Sequence, residues 1–299
     1  MSAEGMSITV TVTRRSFFPR SISIRHILLD GMKYGTSKNG YFLEGESGDH
    51  FVIAYHTAHI GRGILFRWKP GDVRFSELTL NLPSSNEEID DFFLMCARLA
   101  RQDISEVMLN GKPFAPSRYH ETVERFKVYN LKLLHEMMGN VLNDGPDTIS
   151  IGCAFHRLAA GEKEAETMWA GINTDVYRDW MHSSQVNQAY FSEARVSSDG
   201  ETATFTIPMG EPVIFPDHEE LPIRFYDLKT GRPRFEIKKW FVELVDAERN
   251  VLGSMPFDKL QDHLPEEKKS YYDAADSLIG PLSVEEMQMI LLQAEESDA

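Results

Sequence analysis

Cysteine is scarce in this sequence, and its scarcity excludes one class of protein. The 299 residues contain only Cys96 and Cys153, whereas small secreted domains are held together by several disulfides. Both cysteines lie within apolar patterns, so we expect reduced and buried thiols. The chain is long enough to bury a sizeable hydrophobic core in one or two domains.

Basic side chains are outnumbered by acidic ones. The 31 lysines and arginines face 46 aspartates and glutamates, which leaves a formal net charge of -15. Binding of nucleic acid requires a concentrated basic surface, so no nucleic-acid partner is expected. The acidity is strongest at residues 257–299, which hold three lysines and eleven acidic residues.

Long apolar runs are also missing. No run approaches the roughly 18 residues that a membrane span requires. The N-terminal MSAEGMSITV has no basic segment followed by an apolar one, the pattern of a secretory signal peptide. We therefore expect a cytoplasmic protein that does not use a membrane as its partner.

The common catalytic signatures do not occur. HEMMG at His135 lacks the second histidine of a zinc-protease helix, and KTG at Lys229 lacks the Ser-x-x-Lys that would supply a nucleophile. The G-x-S-x-G, P-loop and G-x-G-x-x-G patterns are absent as well. The motifs therefore indicate no reaction and no cofactor.

The apolar patterns that are present predict an α+β fold of mainly antiparallel strands with packed helices and a helical C-terminus. SITVTVT alternates as a strand, Ser23 is placed to cap a helix, and GYFLEGE, HFVIAYH, GILFRW and DVRFSELTLNL predict a meander. Ser85 and Glu88 form a capping-box pattern at the start of a helix that carries Cys96 on its apolar stripe. A long helix is expected from about Ser117 to the NDGPD segment.

The NDGPD segment, Asn143–Asp147, predicts a domain boundary. An α+β domain at 1–145 is then followed by a strand-rich domain at 146–299 that ends in short acidic helices, and a single large domain is the alternative. In the second half we expect a strand at TISIGCAF, a helix over residues 161–182 and two hairpins, one of which turns around Lys229. From Phe257 onward, EEKKSYYDAADSLIG and PLSVEEMQMILLQAEE predict helices, the second with a capping box.

The stretch AYHTAHIGRG supplies the candidate binding residues His56, His59 and Arg62. On a strand the two histidines would point to opposite faces, so they converge only if a loop starts at Thr57. A metal site needs a third ligand, and none is nearby in sequence, so no metal is expected.

The glycines beside Arg62 allow two interpretations. Glycine-flanked loops can present backbone amides and a guanidinium to an anion. Alternatively, the glycines satisfy only the backbone geometry of a turn between strands. Two weaker candidates, Cys153 with His156 and the acidic run Asp217–Glu220, are better explained as a strand end and a solvated loop.

Several of these segments carry a resemblance to a known family. The pattern ITVTVTRRSFFPRSISIRHILLDG, followed by GYFLEGE, HIGRGILFRW and LPSSNEEIDDFF, resembles an uncharacterised family of bacterial cytosolic proteins of about this length from Firmicutes-type genomes. The resemblance covers roughly the first half of the chain. It implies a bacterial origin and transfers no functional residue.

Taken together, the patterns favour a non-enzymatic binding or interaction protein whose partner is a protein or a small polar ligand. The oligomeric state is not indicated. The alternative is a metal-assisted hydrolase that uses His56, His59 and distant carboxylates, because active sites assembled from distant residues leave no local signature.

Overall fold

The computed structural model describes residues 6–14, 23–69, 72–101, 104–115, 119–143, 145–170, 174–186, 189–227 and 230–296. The chain divides into two compact units, Ser2–Asn187 and Gln188–Ala299. Both combine helices with mostly antiparallel strands. The predicted α+β class is confirmed. The predicted helix start at Ser117 and the predicted turn at Lys229 lie outside the described residues.

A sheet of eight described strands is the frame of the first unit. Its strands are β1 (Met6–Arg14), β2 (Met32–Lys38), β3 (Tyr41–Glu44), β4 (Phe51–His56), β5 (Ile64–Lys69), β6 (Asp72–Leu82), β7 (Ile104–Leu109) and β8 (Lys112–Pro113). Their order is β3-β2-β4-β5-β6-β1-β7-β8, and every neighbouring pair is antiparallel. The predicted meander is confirmed for β4, β5 and β6, but β2 lies between β3 and β4, so β3 does not pair with the next strand in the chain. After Ser23 the chain forms a single 3-10 turn, Ile24–His26, in place of a longer helix.

Two helices pack against this sheet. They are α1 (Asn86–Ala100) and α2 (Tyr119–Leu142). The apolar stripe of α1, with Phe92 and Phe93 fully buried, joins the sheet in one core. Ser85 accepts a hydrogen bond from the amide of Glu88 at 3.1 Å, as the capping pattern predicts.

The remaining elements of the first unit come after the predicted boundary at 145/146. They are β9 (Ile149–Gly152), β10 (Arg157–Ala160), α3 (Glu162–Trp169) and α4 (Asp175–Val186). The Tyr177 hydroxyl donates to the carbonyl of Pro83 at 3.1 Å, and the Ala154 amide donates to that of Gly61 at 2.8 Å. These elements bury their apolar faces against the preceding ones, so the compact unit continues past the predicted boundary to Asn187.

Two four-stranded sheets build the second unit. Their strands are β11 (Tyr190–Phe191), β12 (Arg195–Val196), β13 (Thr202–Pro208), β14 (Val213–Pro216), β15 (Lys239–Val245), β16 (Val251–Pro256), β17 (Lys269–Tyr271) and β18 (Asp276–Ile279). The orders are β11-β14-β18-β17 and β12-β13-β15-β16, with β11–β14 and β13–β15 parallel. Two helices, α5 (Phe257–His263) and α6 (Val284–Glu296), pack with them.

The acidic C-terminal region is helical only in part. EEKKSYYDAADSLIG was expected to be a helix, but it forms a 3-10 turn and the strands β17 and β18. Backbone pairing decides this, because Leu278 and Ile279 of β18 lie opposite Ile214 and Val213 of β14. Tertiary hydrogen bonding overrides local propensity here. The capping box of α6 is confirmed, since Ser283 and Glu286 each bind the other's amide.

In the part of the chain that the structure describes, no helix combines enough length with enough apolar character to cross a bilayer.

Candidate functional site

The histidine loop, Thr57–Gly63, connects β4 and β5. β4 ends at His56, so the loop begins at Thr57 as the strand alternation predicts. The Thr57 amide donates to the carbonyl of Gly31 at 3.1 Å, and the His59 amide donates to that of His56 at 3.2 Å. This turn brings the two histidine side chains to the same side of the chain.

The rings of His56 and His59 do converge. They stack with their centroids 4.2 Å apart and their planes 7° from parallel. Nε2 of His59 lies 2.8 Å from a carboxylate oxygen of Asp91 on α1. Burial opposes the charged form of His59, but the hydrogen bond to Asp91 and the charges of Asp91, Glu88 and Glu87 outweigh it, so the pKa of His59 is raised.

A third histidine approaches the loop from α4. Nδ1 of His182 accepts a hydrogen bond from the amide of Ile60 at 3.0 Å. His182 is more than a hundred residues away in sequence, and no local pattern connects it with the loop. Among the described residues, no group of three or more His, Cys, Asp or Glu side chains is placed to hold a metal ion.

The glycine-flanked amides of the loop are occupied by a carboxylate of the protein itself. Glu88, only 4% exposed, accepts hydrogen bonds from the amides of Arg62 at 3.1 Å and Gly63 at 2.8 Å. It also accepts one from the hydroxyl of Ser84 at 2.5 Å. The loop therefore presents its amides to an anion, as one interpretation predicted, but the anion is internal.

The two glycines are required for different reasons. A Cβ on Gly61 would lie 2.3 Å from a carboxylate oxygen of Glu88, which leaves no space for a side chain. Gly63 has a φ of +72°, a conformation that other residues rarely adopt. Close approach to Glu88 thus requires glycine at the first position, and backbone geometry requires it at the second.

The side chain of Arg62 points into the unit. It is 8% exposed, and its Nη1 donates to the carbonyl of Pro83 at 3.2 Å. The same carbonyl accepts from the hydroxyl of Tyr177. Burial raises the pKa of Tyr177, although the charge of Arg62 opposes that shift. Through the Pro83 carbonyl, the buried Arg62 side chain connects the loop before β5 with the segment before α1 and with Tyr177 of α4. Its guanidinium has little contact with solvent.

The weaker sequence candidates are distributed over both units. Cys153 follows the end of β9 and is half-buried, whereas we expected it to be buried in the core. Desolvation lowers the pKa of His156 to about 4, and the amide group of Gln185 contacts its ring. In the second unit, Asp217 of the acidic run accepts from Ser277 at 2.7 Å and pairs with a lysine.

A different surface of the first unit is open. The α2–α3 groove, about 560 Å³ in volume, lies between helices α2 and α3. Its lining combines apolar and polar residues: Val128, Leu131, Lys132, His135, Glu136, Gly139, Asn140, Asn143 and Trp169. The sequence patterns did not single out this groove. A signal that could have indicated it is Val128, an apolar residue that does not share the buried face of α2.

Two apolar side chains in the groove are unusually exposed. Val128 is 73% exposed and Trp169 is 49% exposed. The ring of Trp169 lies across α2, 2.8 Å from the position that a Cβ on Gly139 would occupy. Its centroid is 5.5 Å from that of His135. Gly139 therefore permits the close approach that sets the indole at the edge of the groove.

The first unit therefore presents a histidine loop whose Arg62 and Gly63 amides bind Glu88, together with an open groove between two helices, and both units are of the α+β class. Residues 7–290 match a protein family described as Domain of unknown function (DUF4299). The chain belongs to this family, and the match spans both compact units. No curated protein and no solved structure matches the chain.

Proposed function

We propose that this protein is a non-enzymatic binding protein whose α2–α3 groove accepts apolar side chains of a protein partner. The observation that carries the proposal is the exposure of Val128 and Trp169 in one groove. Contiguous apolar surface rimmed by polar groups is typical of interaction sites. Covering the exposed half of one tryptophan stabilises a complex by about 2–3 kcal/mol at 25 cal/mol per Å².

The lining of the groove favours a protein over a small polar ligand. The groove places apolar side chains beside charged ones, here Lys132 and Glu136 with 3.5 Å between their charged groups, and protein interfaces combine both kinds of residue. Tryptophan is also enriched among the residues that contribute most to binding energy. Small-molecule sites enclose most of their ligand, whereas the described lining of this groove comes from α2, the residue after it and α3.

The geometry supports the hydrolase alternative less well. Nδ1 of His56 and Nδ1 of His182 accept loop amides, and Nε2 of His59 contacts Asp91. These histidine atoms are therefore engaged in holding the loop. Binding of a ligand by His56, His59 or Arg62 stays a prediction, and the buried position of Arg62 favours a structural role for that residue.

We place this function in the bacterial cytoplasm. The resemblance of the first half supports the bacterial origin, and a composition with two cysteines suits a reducing compartment. The net charge of -15 supports a partner other than nucleic acid.

The experiment is site-specific photocrosslinking in bacterial cells. A photoreactive residue replaces Val128 in the groove or, as a matched control, Val186, which is exposed on α4 of the same unit. We expect a defined crosslinked protein at Val128 and not at Val186. The identified partner, once purified, should bind the Trp169→Ala variant at least tenfold more weakly than the wild type.

Two results would contradict the proposal. One is the same crosslinking pattern at Val128 and Val186, which would show that the groove has no preference for a partner. The other is unchanged affinity of the purified partner for Trp169→Ala.

A further inference from the structure

Two amides of the histidine loop depend on histidines that carry no proton at Nδ1. The Ala58 amide donates to Nδ1 of His56 at 3.2 Å, and the Ile60 amide donates to Nδ1 of His182 at 3.0 Å. A neutral imidazole accepts at one nitrogen, whereas both nitrogens of an imidazolium are donors. This loop conformation therefore requires neutral His56 and neutral His182, each with its proton on Nε2.

His59 lies between them in the chain, and its surroundings favour the protonated ring instead of the neutral one. It pairs with Asp91, and the neighbouring carboxylates favour its charged form. Protonation of His56 would place a second positive charge 4.2 Å from the ring of His59, which like-charge repulsion opposes. The other loop acceptor, Nδ1 of His182, lies on α4 outside this stacked pair.

Titratable groups stand on the elements that contact α4 near His182. Arg178 and Asp179 lie on the preceding turn of α4, and Glu87 of α1 pairs with Arg178 at 2.5 Å. His59, paired with Asp91 of α1, and Arg62 stand within two residues of the bound Ile60, and His156 contacts Gln185 of α4.

We propose that protonation of His182 releases the Ile60 amide, the amide of the histidine loop from which His182 accepts a hydrogen bond. Protonated Nδ1 cannot accept from the Ile60 amide and faces it as a second donor. The following residues stay in place, because Glu88 holds the amides of Arg62 and Gly63 with a carboxylate. The release therefore ends before the glycine anchor, and acid favours it because it requires a proton on Nδ1.

The experiment compares two amides of one loop by NMR. Amide exchange in the full-length protein is measured between pH 8 and pH 5 and corrected for intrinsic exchange. We expect the protection of the Ile60 amide to fall about fivefold, the equivalent of one net hydrogen bond, while that of the Gly63 amide stays constant. Because Gly63 is bound to Glu88, it serves as the internal reference.

Two variants separate His182 from other histidines. In His182→Gln the side-chain carbonyl accepts from the Ile60 amide without titrating, so the pH dependence should disappear. His120→Gln, at an exposed position on α2 of the same unit, should retain it. Equal behaviour of Ile60 and Gly63 in the wild type, or persistent pH dependence in His182→Gln, would overturn the proposal.

A measurement on the wild type keeps the proposal testable if His182→Gln does not fold. The ¹⁵N spectrum of the histidine rings reports which nitrogen carries the proton. An unprotonated Nδ1 of His182 at pH 8, gaining its proton together with the loss of Ile60 protection, supports the proposal. A proton on Nδ1 at pH 8 overturns it.

Discussion

Substitution of Glu88 by alanine tests the internal anion of the histidine loop. In the wild type the carboxylate accepts from the amides of Arg62 and Gly63 and from the hydroxyl of Ser84. The hydroxyl can rotate to another acceptor, but the two amides are fixed by the backbone. Glu88→Ala therefore leaves two buried amide donors without their acceptor.

The expected loss of stability follows from the number of amide donors that lose their acceptor. A buried donor without a partner costs about 1–3 kcal/mol, so the two amides together cost about 2–6 kcal/mol. Water that enters the vacated space recovers part of this, and removal of a buried charge offsets another part. We expect the free energy of unfolding to fall by about 3 kcal/mol, which lowers the Tm by about 6–12 °C for a unit of this size.

Urea unfolding followed by circular dichroism measures this loss. The matched control is Glu124→Ala, because the Glu124 side chain is 74% exposed and its carboxylate lies 3.6 Å from the amine of Lys127. We expect the control to change the free energy of unfolding by less than about 0.5 kcal/mol. Glu88→Gln, which keeps one carbonyl acceptor, should fall between the two. A loss below about 1 kcal/mol in Glu88→Ala would refute the role of Glu88 as anchor.

Three further predictions concern other buried contacts of the first unit. Asp91→Asn should lower the pKa of His59, which is raised in the folded protein. A raised folded-state pKa stabilises the protein below the pKa of the unfolded chain, and this stability is lost as the pH rises through the folded-state pKa, so the urea midpoints of variant and wild type should differ more at pH 5.5 than at pH 8.5. An equal difference at the two pH values would contradict this. Cys96, whose pKa burial raises, should react with iodoacetamide only after unfolding, and rapid labelling of the native protein would show that the thiol is accessible. Asn130→Ala should cost about 2–4 kcal/mol of unfolding free energy, because Asn130 and the backbone of Ser84 exchange two buried hydrogen bonds of 2.8 and 2.7 Å; a thermal melt unchanged from wild type would rule this out.

Features set by neighbouring residues were predictable. The alternation in β1, the meander and the stripe of α1 follow from residue periodicity, since a strand repeats every two residues and a helix every 3.6. The caps at Ser85 and Ser283 follow from side chains three residues apart. Such patterns need no knowledge of the rest of the chain.

The position of Glu88 at the start of α1 was predicted correctly, but the partner of its carboxylate was not. The capping-box motif predicts that its carboxylate returns to the amide of the N-cap residue. Instead, the carboxylate binds amides about 25 positions earlier in the chain, in the histidine loop. The helix start was therefore predictable, whereas the function of its third residue depended on which loop packs above it.

The domain boundary was not predictable for a similar reason. NDGPD ends α2 in the predicted way, but the end of a helix does not show whether the next element packs back onto it. Trp169 lies on Gly139 and Tyr177 reaches Pro83, which keeps α3 and α4 with the first unit. A fold boundary depends on such contacts between distant segments.

The sequence by itself determined the α+β class, most strands of the first sheet, the caps of α1 and α6, and the loop that starts after His56. Each of these depends on side chains a few positions apart, whose spacing the backbone geometry converts directly into structure. Only the tertiary structure decided that Glu88 occupies the glycine amides, that His182 accepts from Ile60 and that Trp169 and Val128 share a groove. These partners are brought together by packing, and packing between distant segments produces no periodic pattern in the sequence.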